Sequence, residues 1–265
     1  MAKPQSRYNA IVEKIFFDRY VAGVTEIPWV REDLNTAASA LGMKPIKNLG
    51  DVVYSIRYRN PMPEKILATQ PEGMEWVIGG GGRALYLFRL VPINRIRPRE
   101  NMVAIKIPDA TPEIIRAYAL TDEQALLAKV RYNRLIDIFM ELVAYSLQNH
   151  LRTTVTRIGQ IEIDEIYVGV DKRGRQFIVP VQAKGGKDQL SVIQTEQDLL
   201  CCAEKYPNLI ARAVSAQFIG DDLIALFELT VEDGQVRVVE EKHYRLVPHS
   251  EITGADLAFY GSARS

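Results

Sequence analysis

The chain has 265 residues, 47% of them hydrophobic and 25% charged, with 33 basic side chains set against 33 acidic ones. That is globular composition with material for one large domain or two modest ones, and zero formal charge excludes a global field for a polyanion, although not a basic face. Adjacent Cys201 and Cys202 suit neither a mutual bridge nor zinc, no apolar run approaches the roughly 18 residues of a membrane helix, and MAKPQSRYNAIVEK lacks a signal-peptide core, so a cytoplasmic protein is expected.

SRYNAIVEKIFFDRYVAG predicts a first helix, from Ser6 through the apolar positions Ile11, Ile15, Phe16 and Tyr20 to Gly23. REDLNTAASALGM predicts a second, closing on Gly42. In NLGDVVYSIRYR, Asn48 stands as N-cap, and Val52, Val53 and Ile56 mark the inward face of a third. EWVIGGGGRALYLFRLV then reads as a β-hairpin whose glycines permit positive φ at its tip. Three helices followed by a glycine-tipped hairpin resemble a winged-helix DNA-binding domain, here residues 1–93. The resemblance implies that Arg57 and Arg59 at the end of the third helix face the DNA groove and that Arg83 at the hairpin tip touches the backbone, with Arg95, Arg97 and Arg99 just beyond.

Residues 94–120, with prolines at 98, 108 and 112, read as a connecting segment with some strand and a short helix. Residues 121–265 read as a second domain. It opens with a helix of about 30 residues, TDEQALLAKVRYNRLIDIFMELVAYSLQNHLRT, with Thr121 and Gln124 in capping-box spacing. The strands GQIEIDEIYVGV and QFIVPVQAK follow, then a helix, LSVIQTEQDLLCCAEKY. LIARAVSAQFI, LIALFELTV and QVRVVEEKHYRLV complete an α/β domain with a mixed sheet flanked by helices.

Strand alternation converts part of this text into a site. In FIVPVQAK, Val179, Val181 and Ala183 fall on one face, and Gln182 and Lys184 on the other. In the preceding strand Glu162 and Asp164 share the face opposite Ile161 and Ile163, while Glu165 alternates away. A hairpin joins the two strands, so a carboxylate, an amide carbonyl and an ammonium converge. A hard cation such as Mg²⁺ takes oxygen ligands of this kind. Asp164, Gln182 and the backbone carbonyl of Ala183 would supply them, and Lys184 would stabilise charge on a phosphate under attack.

IEIDEIYVG…VPVQAKGG resembles the active-site hairpin of the PD-(D/E)xK nuclease superfamily in its D…QxK variant, with Ile163 in place of the motif's proline. The resemblance covers roughly residues 121–230. It implies a restriction-endonuclease-like fold, Asp164 as metal-binding carboxylate, Gln182 in a position usually held by Asp or Glu, Lys184 as catalytic lysine, and Mg²⁺, replaceable by Mn²⁺, as cofactor. It also implies a carboxylate from the helix before the hairpin, for which Glu141 in IFMELVAY is the candidate. Gly185 and Gly186 open space beside the lysine, and Gln189, Gln194, Glu196 and Gln197 follow on the next helix. The glycine tract lacks the Lys-Ser/Thr of a phosphate loop, and His150, His243 and His249 form no metal spacing. The expectation is a metal-dependent endonuclease of double-stranded DNA, a restriction enzyme acting as a homodimer. A repair or recombination nuclease, and a non-catalytic DNA-binding regulator on a nuclease-like body, are the alternatives.

Overall fold

A computed structural model describes residues 6–58, 61–82, 84–93, 96–118, 123–156, 158–185, 192–220, 222–232 and 235–262. The chain divides into two compact units. The first comprises Met1–Asn94 together with Thr154–Gln160, the second Arg95–Thr153 with Ile161–Ser265.

In the first unit, α1 (Arg7–Phe17) starts where the Ser6 side chain accepts the Asn9 N–H, and it buries Ile11, Val12, Ile15 and Phe16. A strand unforeseen from the sequence, β1 (Glu26–Val30), comes next, followed by α2 (Asp33–Ala40), α3 (Leu49–Tyr58), α4 (Glu64–Leu67), β2 (Met74–Gly82) and β3 (Leu85–Pro92). The strands form a sheet in the order β1-β3-β2. Pro28 hides β1 from a propensity reading, yet β1 lies at an edge, where a residue without N–H is tolerated. Its alternation is clear: Ile27 and Trp29 are buried, and their neighbours are exposed. Val52, Val53 and Ile56 of α3 face inward, as their spacing predicts. They join a core in which Phe16 meets Trp76 and Phe88 edge-on while Trp29 stacks on Tyr86 and Phe88.

The glycines of β2 have two separate reasons. Gly82 has φ +123°, the freedom expected at the tip. At Gly80 the reason is space, since a Cβ there would sit 1.7 Å from the Ile158 carbonyl oxygen.

The second unit is a mixed α/β domain. Its elements are β4 (Ala104–Pro108), α5 (Glu113–Tyr118), α6 (Glu123–Tyr132), α7 (Leu135–Met140), β5 (Val143–Val155), β6 (Gly159–Val170), β7 (Gln176–Lys184), α8 (Val192–Lys205), β8 (Ile210–Ala211), β9 (Ala213–Phe218), β10 (Leu223–Glu232), β11 (Gln235–Val247) and α9 (Gly254–Ser262). Eight strands make one sheet in the order β4-β11-β10-β9-β7-β6-β5, with β8 beside β7. β7 runs antiparallel to β6 and parallel to β8 and β9. Residues 94–120, expected as a connector, supply β4, which pairs in parallel with β11. No helix among the described residues is long and apolar enough to cross a membrane.

The predicted 30-residue helix is corrected. It is two short helices and a 13-residue strand, β5. The chain turns at Arg134 (φ 51°) and Glu141 (φ 52°), both left-handed and neither a glycine, which costs on the order of 1 kcal/mol each. Side chains stabilise both turns. Asn133 accepts the Ala110 N–H at 2.7 Å and donates to Thr111 Oγ1 and the Lys129 carbonyl, both at 2.9 Å. Asp137 accepts the Ala144 N–H at 2.9 Å, just beyond the second turn.

Alternation in β7 is as expected. Val179, Val181 and Ala183 join the core containing Leu126, Leu127 and Val130 of α6. Gln182 points the other way and reaches Thr195 of α8. Helices therefore cover both faces of β7, and all nine of its residues except Gln176 and Lys184 are buried.

Candidate active site

The paired rungs of β6 and β7 run from Val170↔Gln176 to Glu165↔Val181. At the next position β6 offers a side chain instead of backbone: Asp164 Oδ2 accepts the Ala183 N–H at 2.9 Å. Because N–H and C=O of one strand residue point to the same side, the Ala183 carbonyl is also directed toward Asp164. The hairpin thus ends on a carboxylate and a backbone carbonyl at one place.

Gln182 is 2% exposed. Its Nε2 donates to Thr195 Oγ1 at 2.7 Å, while Oε1 has no hydrogen-bond partner among the described residues. Lys184 Nζ lies 3.5 Å from Glu123 Oε1, at the first residue of α6. On α8, Asp198 is 1% exposed and neither carboxyl oxygen has a hydrogen-bond partner among the described residues. Ser215 of β9 stands in register with Gln182, fully buried, and its hydroxyl is unpartnered in the same sense. Buried polar atoms are ordinarily satisfied, so this concentration of orphans around Gln182 needs a cause.

Electrostatics tie the group together. Burial raises the Asp164 carboxyl above its ordinary range; the Ala183 N–H and the Lys184 ammonium oppose that rise, whereas Glu123 and Glu162 add to it. Asp198 is raised further, first by complete burial and then by the negative charge of Asp164, against the pull of the Gln182 side chain and Lys184. Each of these side chains is felt by the others because the middle of β6, the end of β7, the start of α6 and the middle of α8 meet here.

Asp164, Gln182, Ala183 and Lys184 are brought together as their strand positions predict. Glu141 is not, and its assignment is corrected. It is exposed at the left-handed turn after α7. Arg212, whose charge it reinforces, donates to the Met140 carbonyl at 3.3 Å and, through its backbone, to the Ile178 carbonyl. Lys184 lies six residues further along β7, roughly 20 Å away at the usual strand rise. An apolar neighbourhood in sequence suggests a burial that the fold does not provide, because no glycine announces the turn. The helix carboxylate at the site is Glu123.

Glu162 shares the Asp164 face and pairs with His150 Nδ1 and Arg152 Nε, both at 3.1 Å. Glu165 alternates away to the α6 face, where it pairs with Arg131 at 2.9 Å. Gln194 and Gln197 are buried on α8; Gly186 and Gln189 lie outside the described residues. Asp198 escapes the sequence reading, one residue beyond the polar run of that helix. A signal for it exists, since Thr195, Asp198 and Cys202 recur at i, i+3 and i+7, which puts a carboxylate on the buried stripe of the helix.

Of the arginines expected at DNA, Arg57 belongs to α3, but its side chain lies outside the described residues, as do Arg59, Arg83 and Arg95. Arg99 is engaged within the second unit, donating through Nε to Glu241 Oε2 at 2.8 Å.

Among the described residues no group of three or more His, Cys, Asp or Glu side chains could hold a metal ion. The oxygens offered on these neighbouring strand positions are one carboxylate, a buried amide carbonyl without a partner among the described residues and a backbone carbonyl. That set is too neutral for a metal held by protein alone, but it fits Mg²⁺, which keeps several waters and takes one or two carboxylates. No protein-family model, curated protein or solved structure matches the chain.

Proposed function

We propose that the protein is a Mg²⁺-dependent endonuclease of double-stranded DNA, built on a PD-(D/E)xK-type core. The observation that carries this reading is the Asp164 carboxylate taking the Ala183 N–H at the end of the hairpin, with the unpartnered Gln182 carbonyl and the Lys184 ammonium on the next positions. Asp164 Oδ1, Gln182 Oε1 and the Ala183 carbonyl would hold the ion, which would lower the pKa of a water and neutralise charge on the scissile phosphate. The hydrogen bond to Ala183 fixes the Asp164 rotamer, so its second oxygen is presented without reorganisation. Glu123 holds the Lys184 ammonium at the end of the strand, where it would stabilise the developing charge on the phosphate. Burial and Val181–Ala183 packing against α6 keep both groups on a rigid element.

The first unit supports a DNA reader. Its order of helix, strand, three helices and a hairpin, with the three strands in one sheet, resembles that of a winged helix with the one-turn α4 added before the hairpin. The third helix would enter the major groove, bringing Arg57 and Arg59 to it, and Arg83 would reach the backbone. A reader joined to such a core suits a restriction enzyme of type II or modification-dependent kind, and cutting both strands calls for two sites, hence a homodimer during catalysis.

The decisive experiment incubates the purified protein with modified and unmodified genomic DNA in Mg²⁺, Mn²⁺ or chelator, then sequences the fragment ends. Metal-dependent ends sharing a sequence or a modified base support the reading. Intact DNA in every arm overturns it.

A further inference from the structure

The large sheet ends differently at its two edges. At one, the Lys106 N–H of β4 donates to the Tyr260 hydroxyl of α9 at 2.9 Å, and the stretch of β11 that runs past β4 carries Arg237, Glu240, Glu241 and Lys242. Covering helices and charged side chains are the usual means of keeping an edge from pairing with another chain. β5 closes the other edge, with no strand beyond it among the described residues. Its first seven residues, Val143 to Asn149, include no charged side chain and no proline. They lie between the left-handed turn at Glu141 and a second left-handed residue, His150 (φ 47°). Val143, Tyr145 and Leu147 alternate along one face and are 48%, 61% and 51% exposed. The Ala144 N–H goes to Asp137 and not to β6, so the N–H and C=O of Ser146 and Gln148, on the same side of the strand, point outward too.

We infer that this edge pairs with the same edge of a second copy of the chain, antiparallel about a two-fold axis at Ser146, to make one sheet across two protomers. It gives a surface to the homodimer proposed above and stands without the nuclease reading. The segment is complementary to itself. Pairing about its midpoint sets Ser146 opposite the partner's Ser146 and Ala144 opposite the partner's Gln148, rungs of the hydrogen-bonded kind in which the Ala144 N–H alone is already taken. Between them Tyr145 meets the partner's Leu147, and Leu147 the partner's Tyr145, at rungs where Cα atoms approach to about 4.5 Å. Aromatic and aliphatic side chains opposed in this way stabilise a sheet. A two-fold contact sets each patch against itself, and in this register no charge faces a like charge. A strand from a different protein would leave that self-match without a reason. One strand pair lies at the low end of specific interfaces, below roughly 800 Å² per partner, so monomer and dimer are expected to exchange at micromolar concentration.

Trapping across the axis tests this on the full chain. Ser146→Cys places two thiols at opposed positions with Cα atoms about 5.5 Å apart, within the range a disulfide spans. The native Cys201 and Cys202 are fully buried and do not compete. Mild oxidation is expected to convert most of Ser146→Cys to a dimer on a non-reducing gel. Gln148→Cys, whose thiols would lie about 14 Å apart along the paired strands, should stay monomeric. Should Ser146→Cys not fold, the double variant Tyr145→Cys/Leu147→Cys tests the same register through the neighbouring rungs. The sedimentation coefficient of untreated wild type should rise with concentration toward that of a dimer. Leu147→Lys, a change at an exposed position, should sediment as a monomer throughout. Equal trapping of Ser146→Cys and Gln148→Cys, or trapping of neither, overturns the inference. So does a dimer indifferent to Leu147→Lys, which would lie on another face, and so does a wild type monomeric at every concentration, which would leave the edge to a strand of a different protein. Cleavage is read separately. DNA cutting by a protein that never pairs through β5 removes the interface and keeps the nuclease, whereas a trapped dimer that cuts nothing does the reverse.

Discussion

The two ends of β7 carry similar residues in opposite condition. At its start, beside Phe177, Arg212 makes two hydrogen bonds of 2.6 Å to Glu228 and a third to the Met140 carbonyl, and the Arg175 and Arg212 guanidinium groups lie 5.5 and 5.8 Å from the Phe177 ring centre. At its finish, Gln182, Asp198 and Ser215 hold four buried oxygens without a partner among the described residues. Charge at the first end is spent on the fold. Those four oxygens at the second take no hydrogen bond among the described residues, and a paired charge is weaker evidence of function than a buried orphan. Sequence does not separate the two ends, since Glu123 at the start of α6 and Glu141 just after α7 both precede the hairpin.

That contrast can be broken most directly by truncating the second end. Asp164→Ala and Lys184→Ala should each reduce plasmid cleavage in Mg²⁺ by about a hundredfold or more, the scale expected when a preorganised charge is lost. Far-ultraviolet circular dichroism should stay unchanged. Full cleavage by either variant would remove the site assignment.

The first end should respond in the opposite sense. Glu228→Ala leaves Arg212 half-buried without its partner and should cost about 2–3 kcal/mol in urea denaturation, with cleavage per folded molecule unchanged. A stability loss below about 0.5 kcal/mol would show that pairing there is incidental.

A smaller effect sharpens the comparison further. Gln182→Leu removes an orphan carbonyl, so its stability should lie within about 1 kcal/mol of wild type, or above it, while Mg²⁺-dependent cleavage is lost. Retained cleavage would place Gln182 outside the cation's reach.

The smallest expected signal is in pH. Burial raises Asp164 and Asp198 in the folded protein, so the fold binds protons more tightly than the unfolded chain does. Their contribution is then fully present below the ordinary carboxylate pKa of about 4 and is lost as pH rises through the raised values. Glu241 has the reverse sign. The Arg99 and His243 side chains and the Arg99 N–H lower it against the effect of burial, so its contribution is present above the ordinary range and fades as pH falls. Metal-free urea titrations across this range should show a flatter decline with rising pH in Asp198→Asn than in wild type, and an unchanged slope would contradict the burial of its charge.

How far the sequence reveals this follows from which forces are local. Alternation along β6 and β7 places Asp164, Gln182 and Lys184, because period-2 geometry depends only on adjacent residues. Val52, Val53 and Ile56 are legible for the same reason in α3. The turns at Arg134 and Glu141 are not, since each is held by contacts with Thr111, Ala110 and Ala144 rather than by glycine. β5 reads as helix because the break that precedes it leaves no mark. Asp198 is legible in principle as a carboxylate on an apolar stripe, but its relation to Gln182 is a packing fact, fixed only when α8 lies on β7.

Thr154–Gln160 belongs to the first unit, and the Ile158 carbonyl fills the space that any side chain at position 80 would need. The first unit is thus written in two separated stretches of sequence. A fragment ending near residue 93 would omit one wall of its own hairpin, and a single proteolytic nick after Asn94 would leave Thr154–Gln160 bound in place. Transplanting this unit into another protein would require both stretches to be moved together, the β5–β6 connection as well as the N-terminal segment.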